Sequence, residues 1–474
     1  MSGKPNIVLI HADQYRGDCL SIDGHPVLRT PVLDSLAYRG ARFACAHTEC
    51  PTCIPARHVV LTGMEPGASG VVGFSTEATI ARPESTLPEL LKRANYQTVD
   101  VGRGWHQHPG HCHFGFEIKD GSPFNDHYSR FHTLSFPGHM EGFINWPHET
   151  THGLSFNDSG GRPWPYDEEF HEVNYSVNKG LEFLRRRDQS RPFFLSVGFV
   201  APHPPLVPPE CFYDQYIDAD LDAPAIGSWA ERPANDGLGI DPGAGKQVLE
   251  GAHLKRTKAA YYGAIAHIDN QLRLLLGKLN AQPEPTYIFF ISDHGEMLGD
   301  HYFWRKSLPY EGSSRIPFLF SGPGVEPGAV LQEPVGLQDI LPTCCELAGL
   351  EVPAHATGRS LMALARGEGD AGFREWFHGE HAPFGDQHPG MHYLTDGQWK
   401  YIWFNDGGEQ LFDLKRDPHE MQNLSDISEH GERLELWRSR LIEKLAGRPE
   451  GFSDGEWLIA ERPYPHHNSM AMTL

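Results

Sequence analysis

Three apolar runs in this sequence end abruptly in residues that can bind cations or move protons. Ile7 to Ile10 leads into His11-Ala12-Asp13-Gln14, Pro192 to Val200 into Ala201-Pro202-His203, and Thr286 to Ser292 into Asp293-His294-Gly295-Glu296. A fourth segment, Cys50-Pro51-Thr52-Cys53-Ile54-Pro55-Ala56-Arg57, carries a thiol and, about one helical turn onward, a guanidinium. On a helix that spacing turns Arg57 to the same side as Cys53, where its fork of donors would hold an anionic centre. Each signal has a plainer reading. Cys50 and Cys53 form a C-x-x-C pair, the mark of a redox disulfide or half a zinc site. A lone Asp at a strand end is commonly a turn or cap residue, and a His between prolines is ordinarily loop. No second C-x-x-C exists, however, and the strand-end residues recur in three places.

These residues need a scaffold that brings strand ends together. Strand-like runs alternate with amphipathic segments, which predicts a largely parallel sheet covered by helices on both faces. A helix is expected after Thr30, with Pro31 in its first turn and Val32, Leu33, Leu36 and Ala37 on one face. Others are expected from near Pro55, over Leu87 to Ala94, over Val177 to Arg186 and over Ala259 to Leu279, with further strands over Thr98 to Val101 and Ile316 to Phe320. In open α/β sheets, ligand sites lie beyond the carboxyl ends of the strands, so the residues that close the three runs are expected to converge. Residues 104–170 and 203–250 have poor periodicity and are rich in His, Pro, Gly and aromatics, as site-lining segments or surface insertions are. Beyond about residue 370 the pattern changes to short strands, Gly397 to Phe404 and Glu409 to Asp413, then a helix from about Glu429 to Leu445. The expected division is a catalytic domain over residues 1–370 and a small antiparallel domain over 371–474.

Composition narrows the class. A hydrophobic fraction of 39% with 26 Phe, 16 Tyr and 10 Trp is that of a globular chain. A net charge of −22 argues against nucleic acid or an anionic membrane as the main partner, although a local metal and a few basic groups can reverse the field in one pocket. No stretch approaches the ~20 apolar residues of a membrane span, and no secretory leader is visible. Eight scattered cysteines fit a reducing compartment, so a cytoplasmic location is expected.

Cys53-Ile54-Pro55-Ala56-Arg57 with Leu61-Thr62-Gly63 resembles the maturation signature of the type I, formylglycine-dependent sulfatases of the alkaline-phosphatase-like superfamily. The first strand with Asp13-Gln14, the Ser292-Asp293-His294-Gly295-Glu296 stretch, Pro202-His203-Pro204-Pro205 and the later Leu411-Phe412-Asp413-Leu414 with Asp417-Pro418-His419-Glu420 carry the same likeness. It implies an α/β sandwich with a smaller C-terminal α+β domain, and hydrolysis of sulfate monoesters to alcohol and sulfate. By it, Cys53 becomes formylglycine, whose hydrate offers one hydroxyl to attack and one to expel the product. Asp13, Gln14, Asp293, His294 and residue 53 would hold one divalent cation. Such a hard, oxygen-rich site suits Ca²⁺ first, with Mg²⁺ and Mn²⁺ open and the imidazole keeping Zn²⁺ open too. Arg57 would hold the sulfate, His203 or Lys306 would contact it and protonate the departing oxygen, and His106 would take a proton from residue 53. The family's Gly-Lys-Trp-His element stands here as Gly102-Arg103-Gly104-Trp105-His106, its lysine replaced either by Arg103 with a one-residue insertion or by Gly104. Arg103 can bind sulfate but not exchange a proton readily, so it is expected as a substrate-binding residue.

The implied partners are a small sulfate ester and a formylglycine-generating enzyme. Rival readings are a phosphonate monoester or phosphodiester hydrolase of the same superfamily, a non-catalytic sulfatase-like binding protein, and a redox or zinc module built on Cys50 and Cys53. The aromatic tail from Pro449 to Leu474 is expected to pack on something, either its own subunit or a second one in a homo-oligomer.

Overall fold

A computed structural model describes residues 3–80, 82–106, 112–120, 153–154, 157–234, 245–369, 372–385 and 387–467. Its centre is an eight-stranded sheet of β1 (Asn6–Asp13), β2 (Ala41–Phe43), β4 (Gln97–Gly102), β5 (Ile118–Asp120), β6 (Phe193–Pro202), β7 (Thr286–Ser292), β8 (Phe318–Ser321) and β9 (Ala329–Leu331). The spatial order is β5-β4-β6-β1-β7-β8-β2-β9. Pairing is parallel from β5 through β7, while β8 runs antiparallel to both β7 and β2. Two short strands, β3 (Ala46–His47) and β10 (Val335–Gly336), pair in parallel beside it.

Alternation along the strands sorts the core into two layers. On β1, Val8, Ile10 and Ala12 face helices α1 (Pro31–Tyr38), α4 (Glu172–Arg186) and α6 (Gly251–Asn280). Ile7 and Leu9 face α2 (Cys53–Thr62), α3 (Leu87–Arg93) and α7 (Ile340–Ala348). The expected sandwich is therefore present. Its boundaries differ from the sequence reading in a consistent way: β1 and β6 run two or three residues further, through Asp13 and Pro202, because ladder pairing continues past the apolar run. Helix α2 starts at Cys53 rather than Pro55, since Pro is tolerated within a first turn. One helix, α5 (Glu210–Ile217), lies in a segment read as irregular; its Phe212, Tyr213 and Tyr216 are buried. Much of the first irregular segment, residues 107–111, 121–152 and 155–156, falls outside the described residues.

The C-terminal sheet is antiparallel, in the order β11 (Phe377–His381), β12 (Met391–Thr395), β13 (Trp399–Phe404) and β14 (Glu409–Asp413). Tyr401, Trp403 and Leu411 on one face meet Trp437, Leu441 and Leu445 of helix α8 (Gly431–Leu445). Ile402, Phe412, Phe377 and Tyr393 on the other meet Met297, Phe303, Leu308 and Tyr310, the loop that follows β7. The tail, as far as His467, lies on its own chain: Tyr464 donates to Glu380 Oε2 at 2.6 Å, and His467 bridges to Val71.

At the end of β4 the backbone turns with Gly102 at φ +78, and a Cβ there would collide with the Gly198 carbonyl and Ser176. That close approach lets Arg103 lie across β6. Gly102→Ala is expected to destabilise the protein by roughly 2 kcal/mol or more, read as a shifted urea midpoint; an unchanged midpoint would show that the turn relaxes freely.

Candidate functional site

The register of β1 on β7 pairs Ala12 with Ser292, so the next residues, Asp13 and Asp293, emerge side by side at the strand ends. A shift in the β1–β6 ladder at Ala12/Asp13 sets Asp13 opposite Pro202, which brings His203 to the same place. Helix α2 then enters with Cys53 in its first turn. Asp13, Cys53, Asp293 and His294, all buried, offer ligand atoms within 4.8 Å of one another. Cys53 Sγ is 3.6 Å from Asp13 Oδ1 and 3.3 Å from His294 Nε2.

The imidazole of His294 tests whether this cluster fits a cation. Its Nδ1 lies 2.9 Å from the Gly295 carbonyl, an acceptor only, so Nδ1 carries the proton and Nε2 a lone pair. Burial pushes the ring towards the neutral form. The lone pair faces Asp13 Oδ1 at 3.5 Å and Asp293 Oδ1 at 3.6 Å, and among the described residues its one hydrogen-bond contact is the weak Cys53 S–H. Lone pair and carboxylates repel unless a positive charge sits between them. Two carboxylates, one imidazole nitrogen and residue 53 suit a divalent metal, and Cys50 contributes nothing to the group. The two-thiolate zinc reading therefore finds no support among the described residues, and no cysteine is in a disulfide.

Cations ring the cluster. Arg57 Nη2 reaches Asp13 Oδ2 at 3.3 Å and Asp293 Oδ2 at 3.0 Å. Arg103 Nε donates to Asp13 Oδ2 at 2.9 Å. Lys306 Nζ lies 3.1 Å from Cys53 Sγ and donates to Gln14 Oε1 at 2.9 Å. Burial would push the Asp13 carboxyl up, but Arg103, His203, Arg57 and Lys306 together hold it well below the usual carboxylate range. By contrast, burial and then the Asp13 charge push the Cys53 thiol up to about 11. An unmodified thiol here is a poor nucleophile at neutral pH, the reverse of a redox-active cysteine.

The remaining sequence candidates take distinct places. His203 Nδ1 donates to the Pro204 carbonyl at 2.7 Å, leaving Nε2 with a lone pair, and the ring is kept neutral by burial and by Lys306. His106, at φ +46, accepts from Arg103 Nη2 at 2.7 Å and thus touches the cluster through that arginine. Arg103 reaches the cluster with its side chain, and Gly104 offers its carbonyl to Arg57 Nη1 at 3.2 Å. Gln14, also left-handed at φ +70, turns its amide nitrogen to Glu296 and its oxygen to Lys306.

Sequence reading missed the support behind Arg57. Arg57 Nη1 donates to His11 Nδ1 at 3.2 Å, so His11 Nε2 carries a proton and donates to Ser196 Oγ at 3.2 Å; Ser196 in turn donates to Asp100 Oδ1 at 3.0 Å. Trp105 Nε1 meets the same carboxylate at 3.1 Å, and burial raises Asp100 to about 6. The only sequence signals were a His inside an apolar strand and an Asp in the middle of another.

Comparison with known proteins agrees with this geometry. The Sulfatase family model matches residues 5–350, and the C-terminal model of N-sulphoglucosamine sulphohydrolase matches residues 299–446. An arylsulfatase of Clostridium perfringens is 39% identical over 97% of this chain and 98% of its own. A choline-sulfatase of Rhizobium meliloti is 31% identical, covering 90% and 83%. Among solved structures, a phosphonate monoester hydrolase of Agrobacterium radiobacter superposes with a TM-score of 0.79 at 23% identity, over 93% of this chain and 95% of that one. A protein in complex with its substrate D-glucosamine-2-N,6-O-disulfate gives 0.74 at 20%, over 94% and 98%, and at such identities both structures speak to the fold. With a family model spanning most of its length and a relative this similar from end to end, the chain belongs to the sulfatase family of sulfuric ester hydrolases.

Proposed function

We propose that the protein hydrolyses sulfate monoesters with residue 53, matured from Cys to formylglycine, as nucleophile and one divalent metal at Asp13, Asp293, His294 and residue 53. The observation that carries this reading is the seating of Cys53 between two buried carboxylates and an imidazole lone pair, with Arg57, Arg103 and Lys306 around them. Three fixed cations stand against two carboxylates in direct contact, so the site attracts an anion although the whole chain carries −22. When bound, the metal supplies Lewis-acid stabilisation of negative charge beside residue 53.

The side chains divide the remaining work. The guanidinium of Arg57, locked by Asp13, Asp293 and His11, is a preorganised donor for a sulfate oxygen as charge develops. Arg103 holds Asp13 ionised and presents the same kind of donor. Lys306 carries protons within 3.1 Å of the position-53 side chain and is placed to neutralise the departing oxygen. His203, whose Nδ1 proton is given to the Pro204 carbonyl, presents Nε2 as a proton acceptor and would have to gain a proton there before serving as the acid in place of Lys306. His106, which accepts from Arg103, is assigned the proton given up by residue 53. Gln14, in the place where a second Asp is usual, lowers the negative charge of the metal site and gives its oxygen to Lys306. We further propose Ca²⁺ as the resident ion, maturation by a formylglycine-generating enzyme, and residues 1–370 and 371–474 as the two domains.

Two experiments test this reading. Tryptic peptide Phe43 to Arg57, from protein made with an active formylglycine-generating system, is expected to carry an aldehyde in place of the Cys53 thiol by mass spectrometry. Cys53→Ala should then lower turnover of 4-nitrophenyl sulfate by about a thousandfold or more. Wild-type turnover of phenyl phosphonate monoesters exceeding that of the sulfate would instead move the protein to the phosphonate branch. The second experiment removes metal. EDTA is expected to abolish turnover and lower the melting temperature, because it leaves the His294 lone pair facing two carboxylates, and re-addition of the correct ion should restore both. Full activity and an unchanged melting temperature after exhaustive chelation would sink the metal assignment.

A further inference from the structure

Lys306 is carried by backbone that residues with side chains rarely adopt. Its neighbours Arg305 and Ser307 both lie in the left-handed region, at φ +68 and +73. Such conformations persist only where the surroundings impose them. On the Arg305 side, Glu296 does so: its Oε1 accepts the amides of Leu298 and Arg305 at 2.8 and 2.5 Å while its Oε2 takes the Gln14 amide.

On the Ser307 side three contacts act together. The Ser307 amide donates to the Pro51 carbonyl at 2.7 Å, its hydroxyl lies 3.3 Å from Thr52 Oγ1, and its carbonyl lies 2.6 Å from His388 Nε2. His388 is set for that role. The Gly390 amide donates to its Nδ1 at 3.1 Å, so Nδ1 holds the lone pair and Nε2 the proton that the Ser307 carbonyl accepts. The ring is buried, and His381 meets it edge-on with centroids 5.4 Å apart. Burial lowers it to about 4, so this tautomer persists through neutral pH. His388 comes from the connection between β11 and β12, far in sequence from every strand end that builds the site.

We infer that His388 is a positioning residue for Lys306: its Nε2–H holds the Ser307 carbonyl, and thereby aims the lysine at residue 53 and Gln14. The inference rests on the placing of Lys306 in the reacting site proposed above. By it the C-terminal sheet completes the active centre of the catalytic half, in addition to covering the loop after β7. A lysine swung off target by an ångström is expected to cost turnover more than affinity.

A double-mutant cycle tests the inference. Lys306→Ala alone examines the underlying reading; unchanged kcat would remove Lys306 from the site, and this inference with it. His388→Asn keeps an acceptor for the Gly390 amide but is too short to reach Ser307. It is expected to lower kcat for 4-nitrophenyl sulfate about tenfold or more with KM shifted less than about threefold, and His388→Gln, which restores a donor at that reach, to recover most of the loss. In the Lys306→Ala background, His388→Asn should change kcat by less than about twofold. His388→Ser is run beside it, so that a folding defect in one variant does not decide the question, and melting temperatures confirm that the compared proteins are folded. An equal loss from His388→Asn or His388→Ser in both backgrounds, or no loss in a folded variant, would overturn the inference.

Discussion

Two carboxylates buried against each other govern this structure. Asp13 and Asp293 are adjacent because β1 and β7 pair in register, and both are buried. Burying one such charge without a partner is costly, and burying two together is more so. Arg57 spans both, Arg103 adds to Asp13, and Lys306 stands over the thiol between them. Each of these groups then needs support of its own. Arg57 leans on the His11–Ser196–Asp100 chain. Arg103 depends on the glycine turn that lets it cross β6. The fold is thus organised outward from one electrostatic problem, in layers of compensation.

That order explains what could be read in the sequence. The ends of β1, β6 and β7 were legible because an apolar run that stops at Asp or His changes character sharply. The resemblance around Cys53 and Asp293 was legible for the same local reason. The outer layers were not. His11 and Asp100 sit inside strands whose period is apolar, and Ser196, the residue that joins them, lies 185 and 96 residues away. Strands β11 and β12, FHGEH and MHYLT, escaped because histidines fill positions where aliphatic residues mark a buried strand. They are buried through contact with one another, as in the stacked pair His378 and His392, and no single-chain periodicity reveals that. Helix α5 escaped because its burial rests on aromatic residues amid prolines.

The local and global charges oppose each other. A chain with 62 acidic and 40 basic residues repels anions at long range, yet its centre gathers arginines and a lysine at one point. The long-range part is screened within about 8 Å at physiological salt, whereas the buried part is not. A substrate anion therefore feels the attraction only on close approach, when shape already discriminates. The His-rich C-terminal sheet packs on the lysine loop through Phe377, Tyr393 and Phe412.

Helix α2 has every residue buried, and the Cys53 side chain at its start is 3% exposed. Under the maturation proposed above, folding and chemical modification of residue 53 would compete in time. Once the helix has docked between the sheet and α7, a second protein has no path to that side chain short of reopening the core. The proposed modifying enzyme would then meet Cys53 on an unfinished chain, and the yield of altered protein would be a ratio of two rates that falls as folding quickens.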